Sequence, residues 1–318
     1  MRVRGLSGAV MVLALLVPAS AAAAAEKPVA ITGAPANVGQ SSVVLNGAVN
    51  PKEAETTYFF QYGTTRLYGA TTPAASAGAG AKRVKVAVGV GDLAPATTYH
   101  YRLIAQNSEG MTRGKNRTFR TQRQPLGVTL GASVNPVRSG RATVLAGQLT
   151  GTGNAGRQVT LQANPFPYTQ GFLAAANTQI TNEDGTFAFP ILSVPVNTQY
   201  RVLMPQRQEV VSPVVVVGTT VRVGTKVKKR RGARRGRLRF TGRIRPAVDG
   251  AQVLIQKRRR GEWVTIEDTF ARHSSSSASR YRKTVRQRRG GRYRVLANLE
   301  GAHVPTAGRT VRRHGMRR

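Results

Sequence analysis

The sequence predicts an all-β protein, a tandem of β-sandwich modules behind an N-terminal signal peptide. Three observations carry that prediction. After residue 25 no stretch repeats its apolar residues at helical spacing over three turns. Short β-branched and aromatic runs recur instead, separated by Gly, Pro, Asn and Ser clusters, which is the pattern of many short strands. The 318 residues are enough for two or three domains of ~100–200 residues each. Cys is absent, so sandwich packing alone must stabilise each module, without the disulfides that small exported domains often use.

Residues 1–25 set the compartment. Arg2 and Arg4 precede an apolar stretch, residues 6–18, centred on Val10-Met11-Val12-Leu13-Ala14-Leu15-Leu16-Val17. Residues 21–25, all Ala, offer small side chains for cleavage. Charged start, short apolar core and small-residue exit together read as a secretory signal peptide, and the core falls short of the ~20 residues a membrane span needs. The mature chain is expected to begin near Glu26, to lie outside the cytoplasm, soluble or held at the cell surface without a covalent anchor, and to have no transmembrane segment.

The first module is read over residues 27–123. Ser42-Val43-Val44-Leu45 and Thr57-Tyr58-Phe59-Phe60-Gln61-Tyr62 predict strands. Val84, Val86, Val88 and Val90 alternate onto one face, as do Tyr99, Tyr101, Leu103 and Ala105. Asn107-Ser108-Glu109-Gly110 turns the chain into a last strand near Thr118-Phe119. Leu93-Ala94-Pro95-Ala96-Thr97-Thr98-Tyr99, followed by Gly110, resembles the later half of a fibronectin type III domain. Asn50-Pro51 and the residues 58–63 suit bacterial members of that family. The resemblance covers residues 28–122. It implies a sandwich in which Tyr99 is a corner residue, its hydroxyl bonded back to upstream backbone. It departs from the family in lacking the early core Trp at Leu45-Asn46-Gly47, and no Arg-Gly-Asp tripeptide supports integrin-type adhesion.

Residues 124–222 and 237–313 read as two copies of one unit. Gly147-Gln148-Leu149 matches Gly242-Arg243-Ile244, Val159-Thr160-Leu161-Gln162 matches Val253-Leu254-Ile255-Gln256, and Tyr200-Arg201-Val202 matches Tyr293-Arg294-Val295. The shared pattern resembles bacterial Ig-like surface modules, and ~100 residues is the size of one Ig-like sandwich. Residues 122–125 are expected to join the first two modules. Residues 224–236, with the dense charge of 226–235, are expected to be a flexible basic linker.

Catalytic and metal-binding chemistry finds little material. The four histidines, His100, His273, His303 and His314, form no H-E-x-x-H pair. His273 precedes a Ser run but no nucleophile elbow accompanies it. Glu183-Asp184 and Glu267-Asp268, the adjacent acidic pairs, fall in turn-like contexts of different modules. Asp184-Gly185 reads as turn chemistry rather than a calcium site, which wants six or more oxygens. No enzyme activity, cofactor or metal is expected.

Charge is the feature with functional geometry. Net charge is +36, and residues 223–318 hold 29 Lys and Arg against 5 Asp and Glu, two thirds of the net. From 237 to 245 the odd positions Arg237, Arg239, Arg243 and Arg245 alternate with Leu238, Phe240 and Ile244. A strand sends such a series to opposite faces, arginines to water and apolar groups to the core. Arg280 and Arg282 flank Tyr281 in the same way, Arg292 and Arg294 flank Tyr293, and Lys257, Arg258, Arg259 and Arg260 add a cluster. The guanidinium fork suits phosphate and carboxylate. The expected function is a secreted or surface-associated non-enzymatic spacer that adheres to anionic polymers: cell-wall phosphate polymers, acidic polysaccharide, lipid head groups, or nucleic acid bound without sequence specificity. The alternative is an accessory carbohydrate-binding component, for which Trp263 is the one available Trp.

Overall fold

The computed structural model describes residues 26–229, 236–287 and 290–313. The expected signal peptide therefore lies outside the described residues, as does His314. Every regular element described is a β-strand, and the long strands pair antiparallel. The chain divides into two compact units, Met1–Gln124 and Pro125–Arg318.

In the first unit Val43–Asn50 lies between Val29–Thr32 and Val84–Val90. Its alternation buries Val43, Leu45 and Val49. The second sheet is centred on Thr56–Gly63 and Thr98–Asn107, with Gly110–Arg113 and Arg117–Arg120 beside the latter. Phe60, Tyr101 and Leu103 meet the first sheet's residues in one core. The Tyr99 hydroxyl accepts a hydrogen bond from the Ala94 N–H at 2.9 Å, and its ring stacks on Phe119 at 5.5 Å. This is the expected corner. It ties the loop before the strand to the strand itself.

The second unit contains two separate cores. One gathers Leu145, Leu149, Val159, Leu161, Phe189 and Val202. The other gathers Phe240, Ile244, Val253, Ile255, Tyr293 and Val295. At about 1.5–3 kcal/mol for each fully buried Val, Leu, Ile or Phe, such cores take the place of disulfides. Three of the pairs matched in the sequence are alike in burial: Leu149 and Ile244, Val159 and Val253, Leu161 and Ile255 are all fully buried. The paired glycines are explained by close approach. A Cβ on Gly147 would lie 2.0 Å from the Thr129 carbonyl oxygen, and one on Gly242 1.8 Å from that of Gly224.

The two sandwiches of this unit meet through buried polar groups. Asn197 donates from Nδ2 to the Gly301 carbonyl at 2.7 Å and accepts at Oδ1 from the Thr219 N–H at 2.6 Å. Thr219 Oγ1 lies 2.6 Å from His303 Nδ1, and burial holds the His303 pKa below its ordinary value.

The region expected to be a flexible linker is different. Lys226–Lys229 is a strand paired with Arg237–Arg245, and Val227 is 2% exposed within the third core. Lys226 and Lys228 take one face of the strand, which leaves Val227 free to turn inward. Arg222–Val223 pairs with the same strand, and Val221 and Val223 also join the third core. The third sandwich therefore begins before residue 224, not at 237. Residues 230–235 of the expected linker lie outside the described residues.

Candidate anion-binding face

Arg237–Arg245 is an inner strand of the third sandwich, with Lys226–Lys229 and Arg222–Val223 on one side and Ala278–Arg286 on the other. Leu238, Phe240 and Ile244 are buried, whereas Arg237, Arg243 and Arg245 are exposed and Arg239 is half-buried. Ala278–Arg286 repeats the division: Tyr281 and Val285 turn inward, Arg280, Arg282 and Arg286 outward. Register then decides which charges meet. Arg243 lies opposite Arg280 and Arg237 opposite Arg286. Arg272 pairs with Arg280 from the far side, and Arg222 pairs with Arg245. Lys226 and Lys228 extend the face opposite Thr241 and Arg239.

Like charges directly opposite one another on a sheet destabilise it, so these rows cost stability in the free protein. Among the described residues the third module's contacts between basic and acidic side chains lie elsewhere: Lys283 pairs with Glu267 at 3.1 Å, and His273 Nδ1 meets Asp249 Oδ2 at 2.9 Å. Lys283 projects from the opposite side of its strand to Arg280 and Arg282. A groove of about 970 Å³ crosses the face, lined by six cations (Lys226, Arg243, Arg245, Arg272, Arg280 and Arg282) and by no carboxylate. Its wall is built from the close approach at Gly242. The Tyr281 hydroxyl donates to the Gly224 carbonyl at 2.9 Å, and burial pushes the phenol up to about 12, so it stays protonated and keeps donating.

The structure thus brings together six of the predicted residues: Arg237, Arg239, Arg243, Arg245, Arg280 and Arg282. The other six belong to the opposite sheet of the module, built on Gln252–Arg259, Glu262–Phe270 and Gly291–Asn298. Arg259, Arg260 and Arg292 are exposed there. Arg258 is held by its own hairpin, its Nε donating to the Gly261 carbonyl at 3.1 Å. Lys257 is turned to the edge of the core, with Nζ 3.1 Å from Gln287 Oε1 and 5.6 Å from the centre of the Tyr293 ring. Arg294 donates from Nε to Gln256 Oε1 at 2.7 Å and lies 4.6 Å over the Trp263 ring. Both side chains are engaged internally. The sequence reading missed Arg222, Lys226, Lys228, Arg272 and Arg286. The alternation Lys226-Val227-Lys228 was the available signal for two of them.

Arg294 belongs to a device present in all three sandwiches. Arg201 donates to Gln162 at 2.8 Å and covers Phe172 at 4.2 Å. Arg102 donates to Gln61 at 2.8 Å and covers Tyr68 at 4.5 Å. In each module the Gln and Arg face one another on adjacent strands. In the third module that guanidinium lies over one face of the Trp263 ring.

Remaining candidate groups have local partners. His273 Nδ1 meets Asp249 Oδ2, and the buried Ser279 hydroxyl donates to the other Asp249 oxygen. The hydrogen bond from Ser279, then that from His273, holds the Asp249 carboxyl below the usual range. Ser279 faces the carboxylate rather than the imidazole and also accepts from the Val248 N–H at 2.8 Å, which makes the cluster a loop staple. Asp184 accepts from the backbone and hydroxyl of Thr186, the turn role expected of it. Among the described residues no three His, Cys, Asp or Glu side chains gather to hold a metal, and no helix is long and apolar enough to cross a membrane.

No protein-family model matches the chain, and neither does any curated protein. Solved structures similar to it include the FN1–FN3 domains of chicken CNTN1, 15% identical, covering 91% of this chain and 100% of that one, with a TM-score of 0.29. A tetra-tandem repeat from the extending region of a large adhesion protein is 12% identical, covering 91% of this chain and 74% of that one, with a TM-score of 0.34. The sensor domain of the anti-sigma factor RsgI4 from Pseudobacteroides cellulosolvens is 16% identical, covering 30% of this chain and 89% of that one, with a TM-score of 0.21. At such scores the fold class rests on this chain's own strands and cores.

Proposed function

We propose that this is an exported, non-enzymatic modular protein whose third sandwich adheres to anionic polymers while the first two act as spacers. The observation that carries the reading is the row of arginines placed opposite arginines, without a carboxylate in the groove they line. Uncompensated repulsion of that kind is relieved by a polyanion, and each phosphate neutralised releases condensed counterion. Adhesion is therefore mainly electrostatic, steeply weakened by salt and indifferent to polymer sequence. The test is elution of the full mature chain from immobilised polyphosphate and from duplex DNA in a salt gradient, with a neutral polysaccharide as control. Retention on both polyanions, lost as salt rises, is the expected result. Equal retention on the neutral matrix would overturn the reading.

A further inference from the structure

The groove on the basic face contains one group that charge does not account for. Phe270, two residues before Arg272, closes the Glu262–Phe270 strand and is 56% exposed. It lines the same groove as Arg243, Arg272 and Arg280. Those three arginines stand side by side on three adjacent antiparallel strands, spaced about 4.5–5.5 Å from one strand to the next. A ring exposed amid guanidinium groups is poorly matched to a ligand that is only charge. Polyphosphate offers the arginines everything and the ring nothing. A uronic polysaccharide supplies carboxylates, and its C–H faces can pack on one ring, but it offers no π face to the guanidinium planes beside that ring. Duplex nucleic acid keeps its bases inside the stack. A single strand supplies both halves of the match, backbone phosphates for a positive groove and unstacked bases for an aromatic side chain. Arginine planes strengthen such a site, because they too stack on bases.

We propose that this groove takes single-stranded nucleic acid, with phosphates along the Arg243–Arg280–Arg272 row and one base on Phe270. The assignment rests on the polyanion reading above and narrows it. Binding is blind to sequence, since every base has a face to stack.

The experiment measures binding of the full mature chain to fluorescent oligo(dT) and to inorganic polyphosphate at one fixed salt concentration, for wild type, Phe270→Ala and Phe270→Leu. The ring is more than half exposed, so both variants should fold, and their thermal unfolding is recorded alongside. Phe270→Ala should weaken oligo(dT) binding by about tenfold and leave polyphosphate binding unchanged. Phe270→Leu, apolar but without a π face, should lose most of the same affinity. Equal binding of wild type and Phe270→Ala to oligo(dT), or equal losses on both polymers, would overturn the base-stacking assignment and leave the polyanion reading standing. Failure of the wild type to bind either polymer would overturn both.

Discussion

The two sheets of the third sandwich use the same sequence signal for different ends. Both alternate arginine with apolar residues. On the sheet built around Arg237–Arg245, arginine faces arginine across the strands, and the charges are left to solvent. On the opposite sheet Arg294 faces Gln256, donates to it and covers Trp263. Alternation sets which face a side chain takes, while the cross-strand partner decides whether its charge is engaged. Recurrence of the Gln–Arg–aromatic device at Arg102 and Arg201 marks it as part of how each module is built.

The largest effect expected comes from crossing the two faces of one strand. Leu238→Asp should abolish cooperative unfolding of the third sandwich, because a buried carboxylate without a partner costs several kcal/mol. Arg237→Ser, one residue away but exposed, should shift stability by no more than about 0.5 kcal/mol. Limited proteolysis and denaturant titration of the two variants would separate them.

A smaller effect should separate the two kinds of arginine. Arg294→Ala removes a hydrogen bond and a stacked cation, so it should lower stability by about 1–2 kcal/mol, seen as a lower denaturant midpoint with an unchanged slope. Arg243→Ala removes a like-charge neighbour of Arg280 and should leave the midpoint unchanged or raise it. If Arg294→Ala is as silent as Arg243→Ala, the distinction between engaged and free arginines fails.

A further effect distinguishes the junction between the two sandwiches of the second unit from the loop staple at Asp249. The folded pKa of His303 lies below its ordinary value of 6.5 because burial disfavours the cation. The unfolded chain thus binds this proton more readily, and stability is lost as pH falls below 6.5 towards the folded value. Asp249 also has a depressed pKa, through its hydrogen bonds from Ser279 and His273. Its contribution is complete above the ordinary carboxylate range and is lost only as pH falls through its lower folded value. Unfolding midpoints measured against pH should therefore fall in two stages. His303→Gln should flatten the first and leave the second.

Much of the fold was legible because alternation needs no partner to be read. Leu238, Phe240 and Ile244 between arginines, or Tyr99, Tyr101 and Leu103 in the first module, declare their faces from sequence alone. The Leu-x-Pro-x-Thr-x-Tyr stretch likewise identified Tyr99. Charge density hid the strand at Lys226–Lys229: a run of lysines and arginines reads as solvated, although Val227 is enough to anchor it. The arginine rows were half legible. Arg237, Arg243 and Arg280 could be placed outward, but the meeting of Arg243, Arg280 and Arg272 depends on the register of three strands. The internal roles of Lys257 and Arg294 were not legible, because each is set by a cross-strand neighbour or by a ring at no fixed sequence distance.

Binding of a polyanion by the arginine rows, rather than by total charge, has a direct signature. It is tested most directly by the salt dependence of oligo(dT) binding for the wild type, the triple variant Arg243→Ser, Arg272→Ser, Arg280→Ser, and a control triple Arg259→Ser, Arg260→Ser, Arg292→Ser, which removes the same charge from exposed positions on the other sheet. The first triple should flatten the plot of log affinity against log salt by about 2, at roughly 0.7 per lost phosphate contact, while the control keeps the wild-type slope. Equal slopes for the two triples would contradict it, since binding would then follow net charge alone.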